Sequence, residues 1–183
     1  MRRIVNSTYV TLDGVIESPQ DWPSTGGFSE DGNAVQAELL KACDAVLMGR
    51  RTYHVFAPVW MSLAGDPLAD RMNAMPKYVV SSTLKDPEWQ NTIVVGSDPV
   101  AAVTELKAQP GADIVQYGFG PLAHALMGAG LLDELHLWVH PFFIGARSSD
   151  DLLNRAGSTG RFALNETLTL KNGIVILRYR SAA

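Results

Sequence analysis

Short apolar runs alternate along this chain with longer stretches in which apolar residues recur every three or four positions, a pattern that predicts strands alternating with helices. Residues 3–10 are rich in β-branched and aromatic side chains and are closed by the turn pair Asp13-Gly14, so they predict a first strand. Helix formers fill 34–43, with Val35, Leu39, Ala42 and Cys43 spaced as one apolar face, and lead into an apolar strand at 45–48. A short helix after Arg50 ends near Pro58, and a variable piece with Trp60, Gly65 and Pro67 precedes a strand at 77–82. Strands follow at 92–95 and 113–117, separated by a helix at 99–108 that Asp98 caps and Pro99 opens. Gly118-Phe119-Gly120-Pro121 starts a helix that runs through Met127 and stops at Gly128 and Gly130. Repeated strand–helix–strand units imply parallel crossovers.

The last third reads differently. A strand at 134–140 gives way to a Gly/Ser/Asp-rich loop at 145–160, then Phe162, Leu164, Leu168 and Leu170 alternate with polar neighbours. Asn172-Gly173 turns that strand into a partner at 174–179. The fold class expected is α/β, one domain over 1–183, with a mixed, mostly parallel sheet and an antiparallel C-terminal hairpin. No internal repeat, low-complexity tract or linker divides the chain. Residues 17–32, with Pro19, Trp22, Pro23, Gly26 and Gly27, are too long and broken for a simple connection. The loop 14–32, anchored by Trp22, is the candidate lid over a substrate.

Composition narrows the function classes. At 183 residues and 46% hydrophobic content the chain suits one buried core. A net charge of −4 without a basic run excludes a general nucleic-acid binder but allows a small anionic ligand. The lone Cys43 excludes a disulfide framework or a Cys-rich zinc site and reads as a buried thiol. Nothing approaches the roughly 18 apolar residues of a membrane span, nor is there a signal peptide, so a soluble cytoplasmic protein is expected. His54, His124, His136 and His140 lack metal-ligand spacing; the last two share a strand face but stand too far apart to chelate, and no metal is expected.

Three strand ends carry the candidate chemistry. At Gly49-Arg50-Arg51-Thr52 an apolar run stops at a glycine and enters a helix with a basic first turn, where free N–H groups and the helix dipole favour an anion and two guanidiniums favour phosphate. Ser81, Ser82 and Thr83 offer short hydroxyls suited to a phosphate or ribose, and equally to ordinary turn chemistry. Gly118-Phe119-Gly120 would let a pyrophosphate approach the backbone, and equally serves tight strand-to-helix packing. Together they suit an elongated ligand with several phosphates, bound outside the carboxyl ends of the strands. Acidic residues in and near the long loop, Asp13, Glu17, Asp21, Glu30 and Asp31, could donate a proton or simply be solvated.

With those pieces in place, the chain resembles the dihydrofolate-reductase fold, and most of all the C-terminal reductase domain of the riboflavin-biosynthesis deaminase/reductase family. The resemblance rests on Thr11-Leu12-Asp13-Gly14 followed by Trp22, on Val46-Leu47-Met48-Gly49-Arg50-Arg51-Thr52-Tyr53, on Val79-Val80-Ser81-Ser82, and on Leu131-Leu132-Asp133-Glu134-Leu135-His136-Leu137 with Pro141-Phe142-Phe143-Ile144-Gly145. It implies a three-layer α/β/α fold and NADPH as cofactor. Gly49, Arg50, Arg51 and Thr52 would hold its phosphates, Ser81 and Ser82 would lie by the adenine ribose and 2′-phosphate, and Gly118, Phe119, Gly120, Pro121 and Leu122 would cradle the pyrophosphate. Departures are Phe119, where the family has a small residue, and Ala146-Arg147-Ser148-Ser149, where a second glycine follows Gly145. The deaminase elements His-x-Glu and Pro-Cys-x-x-Cys are missing, so only a reductase half is expected.

The implied activity is hydride transfer from NADPH to a C=N or C=O carbon, with 5-amino-6-(5-phosphoribosylamino)uracil as the specific substrate. The alternatives are a dihydrofolate or pterin reductase, for which Asp31 or Glu38 is the nearest carboxylate, and an NADPH-binding module without turnover. Asp13, Asp31 and Glu38 are the candidate proton donors. The resemblance also implies a homodimer pairing through Leu135, Leu137, Val139 and their neighbours across a two-fold axis.

Overall fold

The apolar and β-branched runs form eight strands among the described residues: β1 (Ile4–Thr11), β2 (Cys43–Gly49), β3 (Lys77–Val80), β4 (Thr92–Val95), β5 (Asp113–Tyr117), β6 (Glu134–His140), β7 (Phe162–Thr169) and β8 (Val175–Ser181). They belong to one sheet of order β4-β3-β2-β5-β1-β6-β8-β7 in the computed structural model, which describes residues 1–24, 29–96 and 98–182. Strands β1 to β6 run parallel, and β8 and β7 add an antiparallel hairpin beyond β6. Five helices cover it: α1 (Glu30–Ala42), α2 (Arg50–Ser62), α3 (Pro67–Ala74), α4 (Pro99–Ala108) and α5 (Pro121–Gly128). The expected mixed α/β sheet with its C-terminal hairpin is what forms.

The core lies in two layers, one on each face. Leu39 and Leu40 of α1, Tyr53, Ala57 and Trp60 of α2 and Ala69 and Met72 of α3 pack with Val46, Met48, Val79 and Val115. Val103 and Leu106 of α4 and Ala123 and Leu126 of α5 pack on the opposite face with Ile4, Leu47 and Ile114. Alternation along each strand sends neighbouring residues to different layers.

Several elements differ from the sequence reading; β3 ends at Val80 rather than 82, which leaves Ser81 and Ser82 in the turn after it, and β8 runs on to Ser181. Helix α1 starts at Glu30 rather than 34, because Ser29 caps it and its Oγ accepts from the Gly32 N–H at 3.3 Å. Its buried stripe is Gly32, Gln36, Leu39 and Leu40; Ala42 faces solvent and Cys43 already belongs to β2. Helix α2 continues through Pro58 to Ser62, since the exposed proline loses one ladder bond while Tyr53, Ala57 and Trp60 hold the stripe against the sheet. Helix α3 was not anticipated. Asp66 starts it, accepting at Oδ1 from the N–H groups of Leu68 and Ala69 at 2.9 and 3.1 Å, with Pro67 in the first turn.

Strand β6 has β1 on one side and β8 on the other, so neither of its edges is free for pairing across a two-fold axis. Leu135 is buried within the second core layer, leaving the half-buried Leu137 and Val139 as a face rather than an edge.

Lys77 is a buried charge at the start of β3, with no exposed surface. Its Nζ donates to the carbonyls of Met72, Asn73 and Met75 at 3.3, 2.7 and 2.8 Å and stands 4.6 Å from the centre of the Trp89 ring. The ammonium thus closes the C-terminal end of α3, whose last carbonyls have no helical partner. Burial lowers its pKa to about 8. Lys77→Met keeps the stem but leaves those carbonyls unpaired, and urea denaturation is expected to show a loss of about 3 kcal/mol.

Candidate functional site

Caps single out two of the five helices. Helices α1, α3 and α4 start at Ser29, Asp66 and Asp98, whose side chains accept N–H groups of the first turn. Helices α2 and α5 start at Gly49 and Gly120 with no side-chain cap. Their first-turn N–H groups therefore remain available to a ligand. Both starts lie at the carboxyl end of the sheet, where β2 and β5 are neighbours in the register Met48↔Tyr117, so Gly49 and Gly118 come side by side.

The winding of the sheet reverses between those two strands. From β2 the chain passes through α2 and α3, on one face, to β3; from β5 it passes through α5, on the other face, to β6. Such a switch point leaves a crevice outside the strand ends. Gly118 has φ +80° and lies so close to Thr52 that a Cβ there would be 2.7 Å from Thr52 Oγ1. Gly49 and Gly120 are different: a Cβ at either would meet nothing within 4 Å. Open space thus lies over both helix starts.

The other residues read from sequence divide by what is left free. Arg50 is exposed and makes no ion pair among the described residues, while Arg51 reaches Glu17 of the long loop at 3.9 Å. Val80 is opposite Gly49, so Ser81 and Ser82 leave β3 at the end of the sheet where α2 starts. Ser81 is buried, and its Oγ accepts from the N–H groups of Thr83 and Leu84 at 3.1 and 2.9 Å, so this side chain builds the turn while Ser82 is exposed. Phe119 points into the second core layer, edge-on to His124 at 4.9 Å, and does not narrow the crevice. Leu122 packs on the same layer, so Phe119 and Leu122 offer backbone only, and Pro121 supplies no N–H at all.

Sequence reasoning passed over two groups here. Thr8 is one step beyond the Ser7↔Tyr117 pair and so stands beside Gly118; it is buried, and its Oγ1 has no hydrogen-bond partner among the described residues. His140 ends β6 opposite Thr11, and its Nε2 is likewise buried and unpaired. Around it Tyr9, Trp22 and Phe142 bring ring centres to 4.9, 5.3 and 5.6 Å. Trp22 is fixed by its Nε1, which donates to the Glu17 carbonyl at 2.9 Å. The sequence signal was present, a histidine before Pro141, but it was judged only as a metal ligand. Among the described residues no group of three or more His, Cys, Asp and Glu is placed to hold a metal ion.

The carboxylates considered as proton donors have other work. Asp13 accepts the Thr11 hydroxyl and, at Oδ2, the N–H groups of Ile144 and Gly145 at 3.3 and 2.7 Å; the Thr11 bond first, then those N–H groups, hold it below its ordinary value. It fastens the end of β1 to the loop after β6, a junction reinforced by the Val15↔Leu152 bridge. Asp31 accepts the Lys171 N–H at 2.8 Å and is held low by Ser29 first and then by that N–H. Glu38 is exposed on α1, 3.9 Å from Arg178. A carboxylate held ionised is a poor acid. Part of the lid, 25–28, lies outside the described residues.

Two cavities lie elsewhere. One of about 410 Å³ opens between α1 and α3, lined by Leu40, Lys41, Leu68 and Arg71. One of about 310 Å³ at the amino end of the sheet is lined by Arg3, Asp133, Glu134 and Arg180. Neither adjoins the free helix starts, and capping and register identify the crevice better than concavity does. No helix of the described residues is long and apolar enough to cross a membrane.

The model of the RibD C-terminal domain matches residues 2–176 of this chain. The "Uncharacterized protein YyaP" of Bacillus subtilis (strain 168) is 30% identical over 152 residues, 79% of this chain and 77% of that protein. Among solved structures, the "Putative riboflavin biosynthesis protein" of Shewanella sp. PV-4 superposes with TM-score 0.72 at 20% identity, over 100% of both chains. The diaminohydroxyphosphoribosylaminopyrimidine deaminase/5-amino-6-(5-phosphoribosylamino)uracil reductase of Thermotoga maritima gives TM-score 0.68 at 12% identity, covering 99% of this chain and 57% of that one. These likenesses establish the reductase-like fold.

Burial of His140 couples this site to stability. The imidazole, 7% exposed, has its pKa lowered to about 4 from 6.5. The unfolded chain then binds the extra proton between pH 6.5 and 4, so the stability present above pH 6.5 is lost as pH falls toward 4. The loss assigned to this residue is up to about 3 kcal/mol. Urea denaturation of wild type and His140→Phe across that window is expected to show the steeper decline in wild type.

Proposed function

The chain belongs to the RibD C-terminal domain family of riboflavin-pathway-type reductases, and on that premise we propose that it is an NADPH-dependent reductase. Its reaction is hydride transfer to a C=N or C=O carbon of a substrate resembling 5-amino-6-(5-phosphoribosylamino)uracil. One observation carries the reading: the two helices without side-chain caps are the two that flank the winding reversal, and both expose glycine backbone. That arrangement suits an elongated polyanion better than a single phosphate.

The residues fit the cofactor. The N–H groups at the starts of α2 and α5 would hold the pyrophosphate, and Arg50 with Ser82 would receive the phosphate on the ribose. Arg50 needs no existing partner to be broken first. The unpaired Thr8 hydroxyl is available to a polar group at the β1–β5 mouth, where the nicotinamide end would lie. NADPH supplies the hydride, and the protein supplies alignment and exclusion of water. Trp22, fixed over the ends of β1 and β6, would close the substrate side. A homodimer would use the half-buried face of β6 and β8. The pterin-reductase alternative gains nothing, because Asp31 is committed to the Lys171 N–H and Glu38 faces solvent.

The two kinds of glycine separate binding from folding. Gly120→Ala has room in the free protein and is expected to change stability by at most about 1 kcal/mol while weakening NADPH tenfold or more, as seen by fluorescence titration. Gly118→Ala is expected to destabilise the fold itself, being strained at φ +80° and overlapping Thr52. Arg50→Gln should weaken NADPH about tenfold and NADH much less. Unaltered NADPH affinity in both Gly120→Ala and Arg50→Gln would reject this cofactor site; NADPH binding without oxidation in the presence of substrate would favour a non-catalytic module.

A further inference from the structure

We infer that His140 is a substrate-contacting residue, its imidazole nitrogen reading the uncharged polar edge of a planar nitrogen heterocycle held among Tyr9, Trp22 and Phe142. This rests on the reductase reading above and adds a residue and a selectivity to it.

Position comes first. His140 is the last residue of β6, paired with Thr11 at the end of β1, and so stands at the same end of the sheet as the free helix starts. Strand alternation puts it on the face of Trp138, the face that α1 covers: a Cβ on Gly32 of α1 would be 3.7 Å from the Trp138 ring. The cover directly over His140 is Trp22, edge-on at an interplanar angle of 79°. Trp22 comes from the loop before α1, not from a strand or helix of the core.

The chemistry follows from what His140 lacks. Its Nε2 is out of contact with solvent and has no hydrogen-bond partner among the described residues, although buried polar atoms are almost always paired. The ring is more than nine-tenths buried, so this atom is not a surface group awaiting water. A partner must come from outside the fold or from a rearrangement of Trp22. The surrounding rings leave two descriptors of that partner. The rings already touch one another or the imidazole at centre separations of 4.9 to 5.9 Å, so the partner reaches this atom only as Trp22 moves off His140, and a flat one replaces that ring contact. It is uncharged at the contacting edge, because the ring contacts supply no cation and the neutral imidazole, with a pKa near 4, supplies none either. Tyr9, raised to about 12 by burial, is neutral as well. Any phosphate of the substrate is therefore bound away from this cluster.

The test uses the intact protein with 5,6-diaminouracil as the probe and orotate, the same kind of ring bearing a carboxylate, as the charged control. In wild type, saturating diaminouracil is expected to move the His140 imidazole ¹⁵N resonance and quench tryptophan fluorescence, with orotate binding at least tenfold more weakly. His140→Phe keeps the ring packing and removes the nitrogen; it should weaken the diaminouracil about tenfold and leave NADPH affinity unchanged. An unmoved His140 resonance at saturation, no diaminouracil binding to wild type, equal affinity for orotate, or full probe affinity in His140→Phe would each overturn the inference. The resonance readout needs no variant to fold. Failure of NADPH to bind, with the His140 shift present, would overturn the cofactor assignment instead.

Discussion

The close approach of Gly118 to Thr52 is the contact on which the rest of the site depends. It joins the end of β5 to the first turn of α2, across the boundary where the winding of the sheet reverses. Only a residue without Cβ fits, both because φ is +80° and because the Thr52 hydroxyl already fills the space. With that hydrogen-sized gap closed, the starts of α2 and α5 are held at one crevice by two independent crossovers on opposite faces. The Gly118 carbonyl is fixed in turn by the side-chain amides of Asn6 and Gln116, at 2.9 and 2.7 Å. A core hydrogen-bond network beneath the strand ends thereby sets the backbone that a ligand would meet.

The distribution of satisfied and unsatisfied polar groups sharpens that division. Lys77, remote from the crevice, is surrounded by three carbonyls and an aromatic ring, so even a buried ammonium is accommodated. Thr8 and His140, near the strand ends, are buried with a polar atom unpaired. A fold able to satisfy a lysine in its core is not short of hydrogen-bond partners in general. Buried atoms without a partner among the described residues also occur at Asn6, Asn172 and Arg178, so what distinguishes Thr8 and His140 is their place beside Gly118 and at the end of β6.

Much of this architecture was legible in the sequence, and the failures have definite causes. Most strands were readable because they are short apolar or β-branched runs bounded by turn residues. The crevice was readable because Gly49-Arg50-Arg51 and Gly118-Phe119-Gly120 combine the residue types that close backbone approach to an anion requires. Helix α3 was missed although Asp66-Pro67 carries the same cap-and-proline signal as Asp98-Pro99, which was used; at 8 residues it shows barely two turns of periodicity. Pro58 misled because tertiary packing of Tyr53 and Trp60 outweighs one lost helical bond. Ser81, Asp13 and Asp31 could not be sorted from sequence at all. Whether a hydroxyl or carboxylate serves a ligand or a turn depends on which N–H groups lie within about 3 Å of it, and those of Lys171 and Gly145 are distant in the chain.

The crevice has two chemically distinct ends, and their separation bears on how the molecule would work. Arg50 and the dipoles of α2 and α5 would make the β2–β5 end the favourable one for phosphates despite a net charge of −4 for the chain. Two strand spacings away, roughly 10 Å at about 4.8 Å per strand, the β1–β6 end is aromatic and neutral. A dinucleotide anchored at the first end would bring its reactive end to the β1–β5 mouth, beside a substrate ring held at the second. Placing cations at the aromatic end would strengthen anion binding there but would also attract the phosphates to the wrong place. The absence of charge among Tyr9, Trp22, His140 and Phe142 is on this argument an ordering device: it leaves an elongated anion only one favourable direction in which to lie.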